Sequence, residues 1–309
     1  MTDLVIGGSG FVGRNLVRRL EESGRGVVVT DRVPDAASTF RGTFIAGDAQ
    51  DPEFLASVLR DVRPETVYHL AANSDIASGI EDASLDFGDT LMTTVALRDS
   101  LLRYPTRRLV FASSSAIFGV RNSPLSEESA ELPNPVSWYG KAKLASEYVL
   151  ESLATAQPEM AILVVRFPNV VGPLATHGVV FDFIRKLQRD PSRLDVLGDG
   201  NQTKPYVHVS ELVDGIEFFL KRAAPGVTRV NIGPRDLVDV KGIVAEVCSA
   251  LDVSPDVVYE DSPVGWIGDV PRYEFDTTRM LDAGFSVKLS SREAVRRAAE
   301  DLNAEWAIA

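Results

Sequence analysis

The amino-terminal stretch constrains the fold of this chain most strongly, because it places three glycines between a short strand and a helix. The apolar residues 4–6 run into Gly7, Gly10 and Gly13, and a helical pattern of apolar residues follows. Gly7 permits a tight turn, Gly10 lets the backbone approach a pyrophosphate, and Gly13 lets the helix pack closely on the strand. The helix dipole favours a phosphate at this position.

A second strand follows this helix and ends in an acid, which completes the order of a dinucleotide-binding unit. Residues 27–30 are Val-Val-Val-Thr, and Asp31 comes directly after them. A carboxylate there suits the two hydroxyls of an adenosine ribose and repels a 2′-phosphate, so Asp31 favours NAD over NADP. Arg32 favours the opposite, because an arginine can accept that phosphate; its alternative role is an ordinary solvated side chain.

Strand and helix patterns continue to alternate along the first half of the chain. Strands are predicted at 43–46, 66–70, 108–112 and 162–165, and helices at 51–62, at 85–104 and from Lys143 onward. This alternation predicts an α/β fold, a Rossmann-type doubly wound parallel sheet with helices on both faces. Ligands of such sheets bind beyond the carboxyl ends of the strands.

The alternation breaks after the sixth strand, which suggests a smaller second part. We predict a dinucleotide-binding domain over residues 1–168, to which about 206–233 return. Residues 169–205 and 234–309 are predicted to form a smaller C-terminal substrate-binding lobe that covers the ligand edge of the sheet.

Charge and hydropathy exclude several classes of partner. The formal net charge of -12 argues against nonspecific binding to nucleic acid or to an anionic membrane. No stretch approaches the roughly 20 apolar residues that a membrane span needs, and Asp3 makes the N-terminus unlike a signal peptide. We therefore expect a soluble cytoplasmic protein.

Tyr139 and Lys143 are four residues apart at the start of a helical pattern, so they stand on one helix face. An ammonium beside a phenol lowers the phenol pKa, which can make tyrosine a base. Taken alone, the pair is more simply explained as a helix-start aromatic and a surface lysine. Residues 113–115, three serines at the carboxyl end of the fifth strand, favour the catalytic interpretation because they lie on the ligand edge.

Together these motifs resemble the extended short-chain dehydrogenases/reductases, in particular the NAD-dependent nucleotide-sugar epimerase and dehydratase family that contains UDP-glucose 4-epimerase-like proteins. The resemblance runs from Val5 to about Trp306. It rests on ordered motifs: GGSGFVG at 7–13, Asp31, GDAQD at 47–51, HLAA at 69–72, SSSAIFG at 113–119, YGKAK at 139–143, RFPNVVGP at 166–173, GDGNQTKPYVHV at 198–209 and GDVP at 268–271.

The resemblance implies a catalytic trio of Ser114, Tyr139 and Lys143. Tyr139 would move the proton of a sugar hydroxyl, and Lys143 would bind the nicotinamide ribose and lower the tyrosine pKa. The implied NAD contacts are Gly7, Gly10, Phe11, Val12, Gly13, Asp31, Arg32, Asp48, Ala49, Leu70, Ala71, Ala72, Tyr139, Lys143, Phe167 and Pro168. The implied contacts to a nucleotide-diphosphate sugar are Ser74, Ser115, Asn169, Lys204, Trp266 and Arg272. No metal site is implied.

Several positions depart from the family pattern and concern the nucleotide-binding part of the substrate site. The family usually has Gln-x-Arg-Asp where residues 202–205 of this chain are Gln-Thr-Lys-Pro. An arginine can bind a phosphate through two nitrogens, whereas Lys204 offers a single point charge. Trp266 replaces an arginine that contacts the diphosphate in galactose epimerases, and Arg272 can compensate. The long helix after HLAA usually carries an asparagine at the position where this chain has Thr90.

The preferred function is NAD-dependent epimerisation at C4 of the sugar, through a transient 4-keto intermediate. A 4,6-dehydratase needs an additional acid and base, and the family places an Asp-Glu pair where this chain has Ser115 and Ala116. A ketosugar reductase of the same family, and a cofactor-binding regulator without catalysis, are the remaining alternatives. The resemblance also implies a homodimer, formed through the long helix after HLAA and the helix that carries Tyr139.

Overall fold

The structure, a computed structural model, describes residues 2–33, 40–121, 123–127, 133–265 and 270–307. Its internal contacts divide the chain into two compact units. The first unit comprises Met1–Gly119, Pro133–Arg166 and Ile216–Val230, and the second comprises Val120–Leu132, Phe167–Gly215 and Asn231–Ala309. The domain boundaries drawn from the sequence stay a prediction, because contact density alone does not define domains that fold independently.

The strands are short, as is usual in a parallel sheet. They are β1 (Thr2–Ile6), β2 (Gly26–Asp31), β3 (Thr43–Ala46), β4 (Thr66–His69), β5 (Arg108–Ala112), β6 (Ala161–Arg166), β7 (Asn169–Val171), β8 (Arg193–Val196), β9 (Thr203–Lys204), β10 (Tyr206–His208), β11 (Gly226–Asn231), β12 (Val238–Asp239) and β13 (Asp256–Tyr259).

The helices alternate with the strands of the first unit. They are α1 (Phe11–Glu22), α2 (Pro52–Val62), α3 (Ile76–Glu81), α4 (Ala83–Asp86), α5 (Thr93–Arg103), α6 (Trp138–Ala156), α7 (Val179–Arg189), α8 (Val209–Leu220), α9 (Val240–Leu251), α10 (Thr278–Asp282) and α11 (Ser291–Ala307). None of the helices in the described ranges is long and apolar enough to cross a membrane.

The described strands form a seven-stranded sheet in the order β11-β6-β5-β4-β1-β2-β3. Adjacent strands in the series β6-β5-β4-β1-β2-β3 are parallel. In the central strand β1, Val5 lies opposite Val29 of β2 and Tyr68 of β4. Every residue of β4 and β6 is buried, as expected for central strands with both faces covered by helices. The predicted Rossmann-type doubly wound α/β fold is confirmed.

Local signals in the sequence explain where the first-unit elements begin. Asp51 caps α2, since its carboxylate accepts hydrogen bonds from the backbone N–H groups of Glu53 and Phe54, and Pro52 occupies the first helical position. Ser137 caps α6 by accepting a hydrogen bond from the Gly140 N–H. This cap fixes the start of α6, and with it the position of Tyr139, which is the second residue of the helix.

The predicted helix over residues 85–104 is interrupted, which corrects the sequence-based expectation of one regular helix. The segment starts in α4, passes through a π-helical turn at Phe87–Met92 and only then continues as α5. A π turn holds one more residue than an α turn and shifts the side chains that precede it around the helix axis. This shift sets the direction of the acidic residues on the segment.

In the second unit, short strand pairs replace the continuous sheet. Within the described residues they are β7 with β10, β9 with β12 and β8 with β13. The core of this unit packs α7, α9 and α11 through apolar residues: Phe183, Ile184, Leu187, Ile243, Val247, Val295, Ala298 and Leu302. These two-residue to four-residue strands carry no periodic signal, so the sequence did not reveal most of them.

Candidate active site

The glycine turn after β1 has the tight backbone that the sequence predicted. Gly7 has a φ of +82°, and a Cβ there would lie 2.5 Å from the Ala71 backbone nitrogen. A Cβ on Gly13 would lie 2.4 Å from the Gly7 carbonyl oxygen. Both positions therefore exclude side chains, one because of its backbone conformation and both because of close packing.

Gly10 differs from the other two glycines, because its surroundings leave room. The nearest atom to a Cβ on Gly10 would be the Gly7 carbonyl oxygen, at 3.4 Å. Gly10 is the N-cap of α1 and supplies no side-chain hydrogen bond, so the N–H groups of the first turn remain available to an anion. This open, uncapped helix start fits the pyrophosphate of a dinucleotide.

Asp31 stands at the end of β2 and is oriented by the glycine turn. Its Oδ2 accepts a hydrogen bond from the Ser9 N–H at 3.0 Å, and its Oδ1 accepts one from the Arg32 N–H at 2.8 Å. The carboxylate is half-buried, so a ribose could still reach it. The contact of Asp31 with the ribose stays a prediction.

Two further loops follow β3 and β4 at the carboxyl edge of the same sheet. Asp48 and Ala49 come after β3, and the Asp48 carboxylate accepts a hydrogen bond from the Gln50 N–H. Leu70 and Ala71 come after β4 and both donate backbone hydrogen bonds to the Ile6 carbonyl. The first unit therefore brings the predicted HLAA contacts next to the glycine turn, and it places Asp48 and Ala49 at the end of β3, two strands away from β1.

Ser114 and Tyr139 meet in the first unit. Ser114 caps the short 3₁₀ turn at Ser115–Ile117, and its hydroxyl oxygen accepts a hydrogen bond from the Ala116 N–H at 3.1 Å. The same hydroxyl hydrogen-bonds the phenol of Tyr139. Gly140 permits this approach, since a Cβ there would lie 2.5 Å from the Ala116 carbonyl oxygen.

Lys143 is buried one turn along α6 from Tyr139. Its Nζ donates a hydrogen bond to the Ala112 carbonyl oxygen at 2.6 Å and lies 5.7 Å from the centre of the Tyr139 ring. It also lies 5.0 Å from the centre of the Phe111 ring. Lys143 is thus no solvated surface lysine: the fold holds an ammonium beside the phenol.

Burial governs the pKa of both residues in the chain without cofactor. Burial raises the pKa of Tyr139 to about 12, against the hydrogen bond from Ser114, and the charge of Asp86 raises it further. Burial lowers the pKa of Lys143 to about 7, while the carboxylates of Glu147 and Asp86 act in the opposite direction. The lowered tyrosine pKa expected from the resemblance is therefore not a property of this pair alone.

Glu147, which the sequence analysis did not single out, connects α6 to the sheet. It is buried and accepts hydrogen bonds from the Ser113 hydroxyl at 2.5 Å, from Arg166 Nη2 at 2.7 Å and from Arg229 Nε at 3.2 Å. These partners stand at β5, β6 and β11. The network fixes the rotation of α6 against the strand ends, and the four-residue spacing from Lys143 was a signal for it.

Asp86 is a second acid that the sequence analysis missed. It is fully buried at the end of α4, and its Oδ1 accepts a hydrogen bond from Asn73 Nδ2 at 3.0 Å. Its Oδ2 has no hydrogen-bond partner within the described ranges. Gly79 makes room for this oxygen, since a Cβ on Gly79 would lie 2.0 Å from it. Burial raises the pKa of Asp86, and Asn73 and Lys143 oppose that shift.

The second unit holds most of the predicted substrate contacts. Asn169, on β7, has its amide nitrogen 3.4 Å from both the Pro205 carbonyl and the Tyr273 hydroxyl. Thr203 and Arg272 pair as an isolated bridge, which places Arg272 next to Lys204 on β9. Arg272 is exposed and forms an ion pair with Glu274 at 3.1 Å. Trp266 lies outside the described residues.

The other predicted contacts lie at the ends of strands. In the first unit, Ser74 is exposed in the loop after β4 and Ser115 is half-buried in the 3₁₀ turn. In the second unit, Phe167 and Pro168 precede β7, and Pro168 is buried. A Cβ on Gly233 would lie 2.8 Å from the Pro168 ring. The roles of these side chains stay predictions.

These features define a dinucleotide-dependent enzyme with a buried serine, a half-buried tyrosine and a buried lysine at a Rossmann sheet edge. The sequence profile of the NAD dependent epimerase/dehydratase family matches residues 4–233. The chain belongs to this family. Membership confirms the predicted family, NAD as the cofactor, and an epimerase as the kind of enzyme.

Relatives and solved structures are similar over nearly the whole chain. The UDP-glucose 4-epimerase of Mycolicibacterium smegmatis is 27% identical, and the match covers 97% of this chain and 98% of that protein. A crystal structure of UDP-galactose 4-epimerase has a TM-score of 0.85 at 30% identity, covering 99% of both chains. MoeE5 in complex with UDP-glucuronic acid and NAD has a TM-score of 0.88 at 28% identity, covering 99% of this chain and 100% of that chain.

Proposed function

We propose that this protein epimerises a nucleotide-diphosphate sugar at C4, through a transient 4-keto intermediate. The observation that carries the proposal is the arrangement of Ser114, Tyr139 and Lys143 in the first unit, with the phenol hydrogen-bonded to the serine and the ammonium one turn away. The names of the relatives add support, since they act on UDP-sugars at C4.

The side chains divide the proton chemistry among them. Tyr139 takes the proton from the C4 hydroxyl and later returns it to the carbonyl oxygen when the 4-keto group is reduced. Ser114 donates a hydrogen bond to the phenol and can also bind the substrate oxygen. NAD held by the first unit would supply the acceptor for the C4 hydride and, once reduced, the donor that returns the hydride to the opposite face of the sugar, with no net consumption of NAD.

The pKa of Tyr139 sets how much stabilisation the phenolate needs. A shift from about 12 to neutrality is worth roughly 7 kcal/mol. One positive charge about 5 Å away contributes roughly 3 kcal/mol at an effective dielectric constant of about 20. The Lys143 ammonium supplies one such charge, and the charged ring of an oxidised nicotinamide would supply a second one when NAD is bound. Two such charges would account for most of the stabilisation that the phenolate needs. We therefore expect the phenol to act as a base when the cofactor is bound and Lys143 is protonated.

A sugar-nucleotide dehydratase is the second candidate, because the family contains both activities. Elimination of water needs a further acid and base next to the catalytic serine. The chain has Ser115 and Ala116 there, and neither can exchange a proton with a sugar carbon near neutral pH. This composition favours the epimerase.

The test is a panel of UDP-glucose, UDP-N-acetylglucosamine and UDP-glucuronate with their dTDP, GDP and CDP counterparts, followed by chromatography and mass spectrometry. We expect one or more C4 epimer pairs to interconvert with no net change of NAD. Failure of every substrate to interconvert, even with added NAD, would overturn the proposal. A product that has lost water would favour the dehydratase.

We also propose that the protein is a homodimer, formed through the α3–α5 segment and α6. Apolar side chains are exposed along both: Leu85, Phe87, Met92, Trp138 and Tyr148. The Phe87 and Trp138 rings contact each other across the two segments, at 5.7 Å between centres. Such a continuous face is costly to leave in water and fits a second copy of itself.

Sedimentation equilibrium tests the proposed dimer. The unchanged protein is expected to sediment as a dimer, and the double variant Met92→Asp with Tyr148→Asp is expected to sediment as a monomer.

A further inference from the structure

Arg32 is not available as a free cation next to the ribose-binding acid. Its Nη1 donates a hydrogen bond to Asp89 Oδ1 at 3.0 Å, and its Nη2 donates one to Asp89 Oδ2 at 2.8 Å. Gln50 Nε2 donates a third hydrogen bond to Asp89 Oδ1 at 3.0 Å. The planar guanidinium thus meets a carboxylate with both of its terminal nitrogens.

The π-helical turn brings Asp89 to this position. Asp89 is the third residue of the turn at Phe87–Met92. Its backbone carbonyl accepts a hydrogen bond from the Thr93 hydroxyl at 3.0 Å, so the main chain is held as well as the side chain. The Asp89 side chain is 20% exposed and that of Arg32 is 55% exposed. The acid is the more fixed partner, and Arg32 is drawn to it.

A 2′-phosphate would need the same face of the guanidinium that Asp89 occupies. Arginine binds carboxylate and phosphate through one bidentate geometry, so the two ligands exclude each other. Three carboxylates also surround Arg32: Asp89, Asp48 and Asp31 all raise its pKa. With one cation among three anions, the local charge is negative and opposes a phosphate.

We propose that Asp89 is a cofactor-specificity residue, which holds Arg32 away from the adenosine ribose and so denies NADP the cation that its 2′-phosphate would need. The effect of Arg32 on cofactor choice is therefore the opposite of the one expected for a free arginine. It stabilises the acidic surroundings of Asp31 and does not bind the 2′-phosphate of NADP. The inference rests on NAD as the cofactor and does not depend on which sugar the enzyme uses.

The test measures binding of NAD and NADP to cofactor-depleted protein by isothermal titration calorimetry. We expect Asp89→Ala to tighten NADP binding by about ten-fold while NAD binding changes less than about three-fold. The matched variants are Arg32→Ala and the double variant Arg32→Ala with Asp89→Ala. Neither should gain NADP affinity, because the freed cation is the cause of the gain.

Each outcome decides the proposal. It is wrong if Asp89→Ala leaves NADP affinity unchanged, and also if the double variant keeps the gain, since loss of a negative charge would then be enough. Retained NAD binding shows that the variant is folded, and Asp89→Asn replaces Asp89→Ala if it is not. An inactive enzyme toward every sugar nucleotide would overturn the proposed function but leave this binding result intact.

Discussion

In the first unit, the charged groups around Tyr139 are buried and hydrogen-bonded, whereas in the second unit Arg272 is exposed and Asn169 is held only by long hydrogen bonds. Lys143, Glu147 and Asp86 are all at most 2% exposed. Arg272 has a side chain that is 62% exposed, and the hydrogen bonds of Asn169 are 3.4 Å long. We infer that the first unit is built for fixed proton chemistry, and the second for adjustable binding of a substrate.

The largest effect is expected from the phenol. Tyr139→Phe should lower kcat by about a thousand-fold or more, because it removes the proton-transfer group. NAD binding should change little. Tyr148→Phe, on the exposed side of the same helix, is the matched control and should keep its activity. Steady-state kinetics and NAD titration measure both variants. An active Tyr139→Phe enzyme would mean that Ser114, Tyr139 and Lys143 are only structural.

A loss of stability is expected next, from the network under α6. Glu147→Gln should lower the free energy of unfolding by about 3 kcal/mol, because Arg166 would lose its buried counter-charge. Glu151→Gln is the control, since Glu151 also pairs with Arg229 but is 46% exposed. That change should cost less than about 1 kcal/mol. Urea unfolding compares the two, and equal costs would contradict the contrast between buried and exposed pairs.

Substrate binding should respond to the second unit with a smaller effect. Lys204→Ala should raise KM about ten-fold and leave kcat within about three-fold, because a point charge on a diphosphate acts in ground state and transition state alike. Lys241→Ala, a lysine of the same unit that donates to Asn201, is the control. If kcat falls instead of KM rising, the second unit takes part in the chemistry and the comparison fails.

The smallest expected effect is a pH shift from Asp86. Its negative charge raises the pKa of both Tyr139 and Lys143, so Asp86→Asn should lower both. The phenolate would then form at lower pH, and the lysine would lose its charge at lower pH. Both limbs of the pH profile of kcat should therefore move toward acid, by up to about one unit. A profile that changes in height but not in position would show that Asp86 acts only through packing.

The fold could be predicted where a helical period of apolar residues lasts for several turns, or where a short apolar run ends at turn residues. The strands at 43–46 and 108–112 occur with the predicted bounds. The π turn could not be predicted, because no residue type in Phe87–Met92 is specific to a π turn and its geometry depends on packing. The two-residue strands β9 and β12 pair with each other, and this pairing between distant parts of the chain leaves no local pattern in the sequence.

The site was predictable to a similar degree. Motif residues were found because their spacing has a local cause, such as the turn at Gly7 or the shared helix face of Tyr139 and Lys143. The partners that tune them were not, because Asp86 and Asp89 act across the fold and carry no local pattern. Arg32 is the clearest example of what the sequence could not predict. As an arginine after Asp31 it suggested binding of a phosphate, whereas in the structure both of its terminal nitrogens bind Asp89.

The π turn has a consequence for how this enzyme can evolve. It contains one residue beyond a regular helix, so deletion of a single codon within 87–92 would restore the α-helix and rotate the preceding side chains by about 100°. Asp86 would turn with them, and Asp89 would lose its alignment with Arg32. One mutational step could thus change the choice of coenzyme and the working pH together, while leaving Ser114, Tyr139 and Lys143 in the sequence unchanged.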